Sequence, residues 1–202
     1  MLKQTATCFR NLSISIALLL GCSASYAEAG VEWTLDAKQS TINFVSVKAG
    51  DVGEAHQFST FAGQISDTGA LNIAIDLASV DTKIQIRDER MRDLLFKVAD
   101  FPQAQLQAQI DPATYENIAI GESKVMQVRG TLSLHGQSQN VFATLKATRI
   151  NENKALVSTT EPIILNAGGF GLSEGLNTLR EIAGLPSISL AVPVTVALTF
   201  VR

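Results

Sequence analysis

Residues 188–200, ISLAVPVTVALTF, alternate large apolar side chains with small or polar ones over thirteen positions. Successive side chains of a β-strand point to opposite faces, so this period of two predicts a strand with one face on a core and the other in water. Pro193 cannot donate a hydrogen bond to a neighbouring strand, so we expect it at a bulge or a free edge. This is the longest signal of its kind in the chain, and it indicates a β fold.

The same alternation recurs at the spacing typical of hairpins. It is found in the segments 41–48, 71–77, 104–110, 125–134 and 141–147. Residues 56–65 and 155–165 also have strand-like composition, the second interrupted by Pro162. About eight strands joined by short turns predict an up-and-down antiparallel barrel or a sandwich. An eight-stranded barrel has room for packed side chains or for one small ligand, and periodicity does not choose between them.

Residues 87–98 have the spacing of a helix instead. Their apolar side chains fall at i, i+3, i+4 and i+7, which is one face of an α-helix. They are Met91, Leu94, Leu95 and Val98. Asp88 is a candidate N-cap, and we expect the helix to dock its apolar stripe on an open end of the sheet. A second, short helix is predicted near 176–182, inside a glycine-rich excursion.

The first 27 residues have the features of a secretory signal peptide. Lys3 and Arg10 form a positive segment, an apolar run over 12–20 follows, and a small-residue cleavage site ends at Ala27. The apolar run is too short for a good transmembrane span, and no later stretch resembles one. We therefore expect a mature domain of residues 31–202 that is exported to the periplasm and has no transmembrane span.

The tetrapeptide Leu19-Leu20-Gly21-Cys22 offers a competing signal, because it resembles a bacterial lipobox whose cysteine becomes a lipidated N-terminus. On that alternative, the protein is an outer-membrane lipoprotein with a lipid anchor at Cys22. Cys8 is lost with either form of processing, so no disulfide can form within the mature chain.

Charge and motif content argue against several classes of function. Removal of Lys3 and Arg10 changes the net charge from −3 to −5, which disfavours nucleic acid as a partner. Patterns typical of zinc sites, phosphate loops and serine hydrolases are absent. The two histidines, His56 and His135, have no partner at metal-ligand spacing. We therefore predict no catalytic residue, no metal and no cofactor.

Several short motifs occur in a characteristic order. They are Trp33-Thr34-Leu35-Asp36, Phe58-Ser59-Thr60-Phe61-Ala62-Gly63, Ile86-Arg87-Asp88-Glu89-Arg90-Met91-Arg92, Phe101-Pro102, Val128-Arg129-Gly130-Thr131-Leu132-Ser133-Leu134-His135-Gly136 and Phe170-Gly171-Leu172. In their order and spacing they resemble the YceI-like family of exported bacterial proteins, across residues 31–202. The block that contains Arg87-Asp88 and the block from Gly130 to Gly136 are the most specific.

The resemblance implies a lipocalin-like, eight-stranded antiparallel barrel with an apolar cavity. It also implies that the cavity holds a long isoprenoid lipid, such as a polyprenyl phosphate or a ubiquinone-like quinone. Together with the periodicity, it leads us to expect a ligand-binding wall made of Phe44, Ile73, Ile75, Leu94, Leu95, Leu106, Leu132, Val141, Leu145, Phe170, Val194 and Val196.

Arg87 and Arg90 are candidates for contact with an anionic head group, because a guanidinium group suits phosphate geometry. Two other classes of function stay open. A stress-related structural or interaction module would have the same fold with a barrel filled by side chains. An enzyme would need a titratable pair that converges inside the barrel. A homodimer is also left open.

Overall fold

The computed structural model describes residues 32–202, so the expected signal peptide and Cys22 lie outside the described residues. The strands are β1 (Trp33–Leu35), β2 (Thr41–Lys48), β3 (Val52–Phe58), β4 (Phe61–Ile65), β5 (Ala70–Asp76), β6 (Val80–Asp81), β7 (Gln103–Gln109), β8 (Ser123–Leu134), β9 (Gln137–Asn151), β10 (Lys154–Thr159), β11 (Ile163–Asn166) and β12 (Ala191–Val201). The helices are α1 (Gln85–Arg90), which continues as a π-helical turn (Met91–Phe96), α2 (Pro112–Glu116) and α3 (Ser173–Ile182).

The strands form one antiparallel sheet that closes on itself. The ring follows the order β1, β4, β5, β7, β8, β9, β10, β12, and β12 pairs in turn with β1. Strands β2, β3, β6 and β11 lie in line with β1, β4, β5 and β10 and lengthen the barrel at one end. We call this the helix end, because α1, the π-helical turn and α3 cover it. The prediction of an all-β, eight-stranded antiparallel barrel is confirmed.

The register of the sheet places the predicted apolar positions on its inner face. Ile73 lies opposite Leu106, and Leu106 lies opposite Leu132. On the other side of the barrel, Val194 lies opposite Phe44. Directly opposed residues of antiparallel strands have their side chains on the same face. The inward-facing apolar residues of neighbouring strands therefore lie side by side around the ring.

The helix predicted over 87–98 begins and ends earlier than expected. Its N-cap is Ile84, so the prediction of Asp88 as the N-cap is wrong. The Asp88 carboxylate instead accepts hydrogen bonds from the backbone N–H and the hydroxyl of Thr82, at 2.8 and 2.5 Å. The π-helical turn ends where Lys97 adopts a left-handed conformation with φ 49°.

The π-helical turn also presents a different face from the predicted one. Hydrogen bonds in a π-helix join residues five apart, so positions i, i+4 and i+5 share a face. Met91, Leu95 and Phe96 are accordingly buried, whereas Leu94 is only half-buried. Phe96 thus takes the inward place that α-helical spacing gives to Leu94.

Helix α3 packs closely on the π-helical turn through Gly175. A Cβ atom at this position would lie 2.6 Å from the carbonyl oxygen of Leu94 and 2.9 Å from Cα of Leu95. Only a residue without a side chain allows this approach of the two backbones. α3 begins at Ser173, which is earlier than the predicted start near residue 176, and the contact lies in its first turn.

The connection between β8 and β9 is a tight turn. It is a two-residue turn of His135 and Gly136, with φ values of 51° and 74°. Positive φ at both positions is the requirement of the type I′ turn that suits twisted hairpins. The His135 ring packs on Phe101, with 4.6 Å between the ring centroids.

We expect Gly175→Ala to lower the free energy of unfolding by about 1–3 kcal/mol, as overpacking does elsewhere. Alanine is a better helix former than glycine by about 1 kcal/mol, but the added methyl group meets backbone atoms that cannot rotate away. Urea denaturation measures the difference. Gly53→Ala is the matched control, because a Cβ atom there meets only Val45 Cγ1 at 3.8 Å. Equal stability of Gly175→Ala and the wild type would contradict the described packing.

Candidate functional site

Two clusters of buried apolar side chains lie toward the two ends of the barrel. One contains Trp33 and Phe200, and the other contains Leu95 and Phe170 at the helix end. Between and beside them lies a cavity of about 290 Å³. A single water molecule needs only about 10–15 Å³ in this measure, and small-molecule sites begin near 300 Å³. The cavity is therefore of a size that holds a ligand.

The wall of the cavity is almost entirely apolar. Among the described residues it contains no charged side chain, and its polar members are Ser46, Tyr115 and Ser189. The residues of the predicted ligand-binding wall that border it are Phe44, Ile73, Ile75, Leu95, Leu106, Leu132, Val141, Leu145, Phe170, Val194 and Val196. Leu94 does not border it, because the π-helical turn points Phe96 inward instead. Prediction from sequence also omitted Phe58, which lies on the wall.

Several inward side chains of β8, β9 and β12 border open space rather than other side chains. Val128, Val141 and Val194 point inward by register, yet each is only half-buried. Across the barrel, Leu71 and Ile73 of β5 are fully buried. An inward residue that stays half-buried has no protein atoms packed against part of its surface. The side chains of residues 32–202 therefore leave part of the barrel interior unfilled.

The cavity runs along most of the barrel. On β12 its wall extends from Val192 to Phe200, which is about 26 Å along the strand at 3.3 Å per residue. Tyr115 of α2 borders it near one end, and Ser46 and Ser189 border it at the helix end. A ligand that contacts the whole wall must be long and apolar.

The inner face of the β2–β3 hairpin changes from apolar to polar at the helix end. Phe44 lies opposite His56, and Ser46 lies opposite Glu54. His56 is 4% exposed, and its Nε2 atom lies 2.8 Å from Ser46 Oγ. Its Nδ1 atom has no hydrogen-bond partner in the part of the chain that the structure describes. Burial lowers the pKa of His56, and the positive charge of Arg87 lowers it further, so the imidazole is neutral near pH 7.

A group of charges lies beside this polar pair. Glu54 Oε2 accepts hydrogen bonds from Lys48 Nζ at 2.8 Å and from Arg87 Nη1 at 2.7 Å. The hydrogen bond from Lys48, reinforced by Arg87, holds the pKa of Glu54 below its ordinary value, although partial desolvation opposes the shift. Arg87 Nη2 donates to the carbonyl oxygen of Thr82 at 2.7 Å. Both cations are thus engaged by other groups of the chain.

Neither arginine that the sequence offers for head-group contact borders the cavity. Arg87 joins α1 to β3 through Glu54, so its role in the structure is to hold the helix over the barrel. Arg90 is half-buried on α1 and forms no ion pair with another described residue. The polar side chains that border the cavity at this end are instead those of Ser46 and Ser189.

The Ser46–His56 pair has part of the geometry of a nucleophile and its base. An activated serine also needs a third group that orients the histidine, and none of the described residues bonds to Nδ1 of His56. Within residues 32–202, no three His, Cys, Asp or Glu side chains come together as a metal site. In the same part of the chain, no helix is long and apolar enough to cross a membrane. The arrangement can enclose an apolar chain and offer hydrogen bonds to a polar group at the end of that chain.

Sequence reasoning missed Ser46 and His56 as members of the site. A signal for Ser46 was present, because it is the next residue in phase with Ile42 and Phe44 on the same strand. The position of His56 depends on the register of the β2–β3 hairpin, which the sequence of the Ala49–Asp51 loop does not fix. Only the paired strands bring the imidazole against the serine.

Comparisons with known proteins point to the same fold. Residues 33–200 match the YceI-like domain. A polyisoprenoid binding domain from Saccharophagus degradans, implicated in plant cell wall breakdown, is 36% identical with a TM-score of 0.82, and the match covers 84% of this chain and 98% of that chain. A comparison with curated protein sequences gives no match.

More distant structures share the fold alone. Burkholderia cenocepacia BcnA is 19% identical with a TM-score of 0.62, and the match covers 82% of this chain and 98% of that chain. A Campylobacter jejuni YceI protein is 18% identical with a TM-score of 0.53, and the match covers 71% and 82% of the two chains.

The lowered pKa of His56 predicts that the protein becomes less stable as the pH falls below about 6.5. The unfolded chain takes up a proton near that pH, whereas the folded protein takes it up only at lower pH, so protonation favours unfolding. Thermal unfolding between pH 7.5 and 5.5 measures the effect. We expect His56→Gln, which keeps a hydrogen-bonding side chain without a titrating group, to flatten the profile. His135→Asn serves as the control, and an unchanged slope in His56→Gln would contradict the prediction.

Proposed function

The chain belongs to the YceI-like family, and we propose that it is a carrier protein for a long-chain isoprenoid lipid, held in the barrel cavity. The candidate ligands are polyprenyl phosphates and ubiquinone-like quinones. The proposal includes neither a catalytic step nor a cofactor other than the bound lipid.

The observation that carries this proposal is the half-burial of inward apolar residues around the cavity. Val128, Val141 and Val194 face the interior and are only partly covered by the side chains of the described residues. Residues of this kind are buried in a barrel whose interior is solid. An apolar ligand that lies along these three strands would complete their burial.

The free energy of an unfilled cavity gives a second argument. Cavities left by core substitutions cost about 24 cal/mol per Å³, so about 290 Å³ corresponds to roughly 7 kcal/mol. A typical domain is stable by only about 5–15 kcal/mol in total. Each methylene of a bound lipid contributes about 0.8 kcal/mol on leaving water. A prenyl chain of modest length would therefore offset the cost of the cavity.

The similar domain from Saccharophagus degradans supports the class of ligand. It is a polyisoprenoid binding domain, and it aligns over 84% of this chain at 36% identity. The long, uncharged wall described above suits a prenyl chain, which has no polar atoms along its length. Both lines of support concern the chain of the ligand rather than its head group.

The alternative of a structural or interaction module would require a barrel that its own side chains fill. The half-buried valines favour a binding function over that alternative. An enzyme is less well supported, because the Ser46–His56 pair has no orienting carboxylate among the described residues.

We also propose that the mature protein is periplasmic and begins after Ala27. The support is the arrangement of positive, apolar and small residues in the first 27 positions of the sequence. The intact mass of the mature protein tests this. A chain that starts at Glu28 agrees with it, and a lipidated chain that starts at Cys22 contradicts it in favour of an outer-membrane lipoprotein.

Substitution of one wall residue separates a carrier from a filled barrel. We expect Val194→Phe to reduce the affinity for a long-tailed ubiquinone or a polyprenyl phosphate about tenfold or more, because the new ring occupies ligand space. Stability should change by less than about 1 kcal/mol, whereas overpacking a solid core typically costs about 1–3 kcal/mol. Binding is measured by extraction and mass spectrometry after incubation with each lipid and gel filtration.

The matched control for this substitution is Thr195→Phe. Thr195 is the next residue on β12, is exposed and points away from the cavity. The Thr195→Phe substitution should leave lipid binding unchanged. Two results together would contradict the carrier proposal and support the filled barrel. Val194→Phe would strongly lower the stability of the protein, and neither lipid would bind to the wild type.

A further inference from the structure

The polar end of the cavity is built from residues that the sequence places on different elements. Along the inner face of the β2–β3 hairpin, Ile42 and Phe44 are followed by Ser46, and Phe58 is followed by His56. Ser46 borders the cavity, and His56 lies behind it at hydrogen-bond distance. At the helix end, the apolar wall that this hairpin forms therefore ends in the hydroxyl group of Ser46, and the imidazole of His56 lies behind that hydroxyl.

His56 is buried with one of its ring nitrogens unpaired among the described residues. Its Nδ1 atom has no partner among the residues that the structure describes, although the side chain is 96% buried, given its 4% exposure. A buried polar atom without a partner lowers stability, so it marks a place where function competes with packing. The Phe44 ring, 5.2 Å away between centroids, holds the imidazole in position against Ser46.

The donors and acceptors of the pair suit an oxygen atom of a ligand. A neutral imidazole has one N–H donor and one acceptor nitrogen, and a serine hydroxyl both donates and accepts. If His56 Nε2–H donates to Ser46 Oγ, the proton of Ser46 is free to bond to a carbonyl or hydroxyl oxygen in the cavity. The hydroxyl of Ser189, by contrast, already exchanges hydrogen bonds with the backbone of Ala191.

The charged groups around the pair are already engaged by other groups of the chain. Those that act on His56 at this end are Lys48, Glu54, Asp81, Arg87 and Asp88, and Asp81 accepts hydrogen bonds from Gln57 and from the backbone N–H of Lys83. Glu54 binds both Lys48 and Arg87, and Asp88 accepts two hydrogen bonds from Thr82. A phosphate needs cations that are free to pair with it, because burial of an uncompensated charge is costly. A phosphate placed here would instead compete with Glu54 for the same two cations.

We propose that the Ser46–His56 pair binds the head group of the isoprenoid and that this head group is an uncharged oxygen function, a carbonyl or a hydroxyl, rather than a phosphate. The inference rests on the proposed function, because it concerns the head group of the same ligand. On this proposal, the Ser46–His56 pair determines which head group the carrier accepts, and Arg87 and Arg90 of α1 do not. The apolar wall then sets the length of the prenyl chain, and the polar pair sets the chemistry of its end.

Three isoprenoid probes test the proposal on the full mature protein. Geranylgeraniol, which ends in a hydroxyl, and geranylgeranyl phosphate, which ends in an anion, share the same prenyl chain, and squalene is a longer isoprenoid hydrocarbon without a head group. Displacement of a fluorescent isoprenoid reporter measures the affinity for each. We expect geranylgeraniol to bind about tenfold more tightly than geranylgeranyl phosphate, and Ser46→Ala to weaken geranylgeraniol about fivefold to tenfold. Squalene should bind Ser46→Ala and the wild type equally.

The control variant is Ser133→Ala, which removes a hydroxyl from the outer face of β8, where Ser133 bonds to Ser138. It should change none of the three affinities. The ranking of the probes on the wild type tests the proposal even if Ser46→Ala does not fold. Tighter binding of geranylgeranyl phosphate than of geranylgeraniol, with squalene bound, would overturn this inference and leave the carrier function standing. Failure of all three probes to bind would overturn both.

Discussion

A closed barrel of eight strands encloses a fixed interior, and the size of the inward side chains decides whether that interior is solid. In this protein, the pairing of β12 with both β10 and β1 closes the ring. Large side chains such as Trp33 and Phe170 fill the two ends, whereas valines and alanines of β8, β9 and β12 line the middle. The cavity follows from this distribution of volume, and the proposed carrier function rests on the cavity.

The helix end shows how polar groups are kept near an apolar site. The inward positions of the β2–β3 hairpin carry Ser46, His56 and Glu54, and α1 covers them from above. The ion pair between Arg87 and Glu54 joins the helix to the strand and, at the same time, neutralises the charge of Arg87 near the helix end of the cavity. On the proposed function, this one contact both holds the helix and disfavours an anionic head group at that end.

Much of the fold was predictable because a strand has a strict period of two, so Phe44, Ile73 and Val194 could be placed on the inner face from sequence alone. The helix was predicted less well. Its π-helical turn packs on α3 at Gly175, a tertiary contact that the local pattern does not contain. The polar pair could not be predicted either, because Ser46 and His56 meet only through the hairpin register. From the sequence alone, Arg87 is a candidate for head-group contact. In the structure, the Arg87 guanidinium forms an ion pair with Glu54 instead.

The central claim is that the barrel interior holds a prenyl chain, and the most direct test is to identify what the protein carries. The mature protein is purified without detergent and extracted with organic solvent. Mass spectrometry then measures the amount of lipid in the extract, which is compared with the amount of protein. We expect about one isoprenoid lipid per protein molecule. An extract without prenyl lipid, repeated after incubation with ubiquinone and with a polyprenyl phosphate, would contradict this expectation.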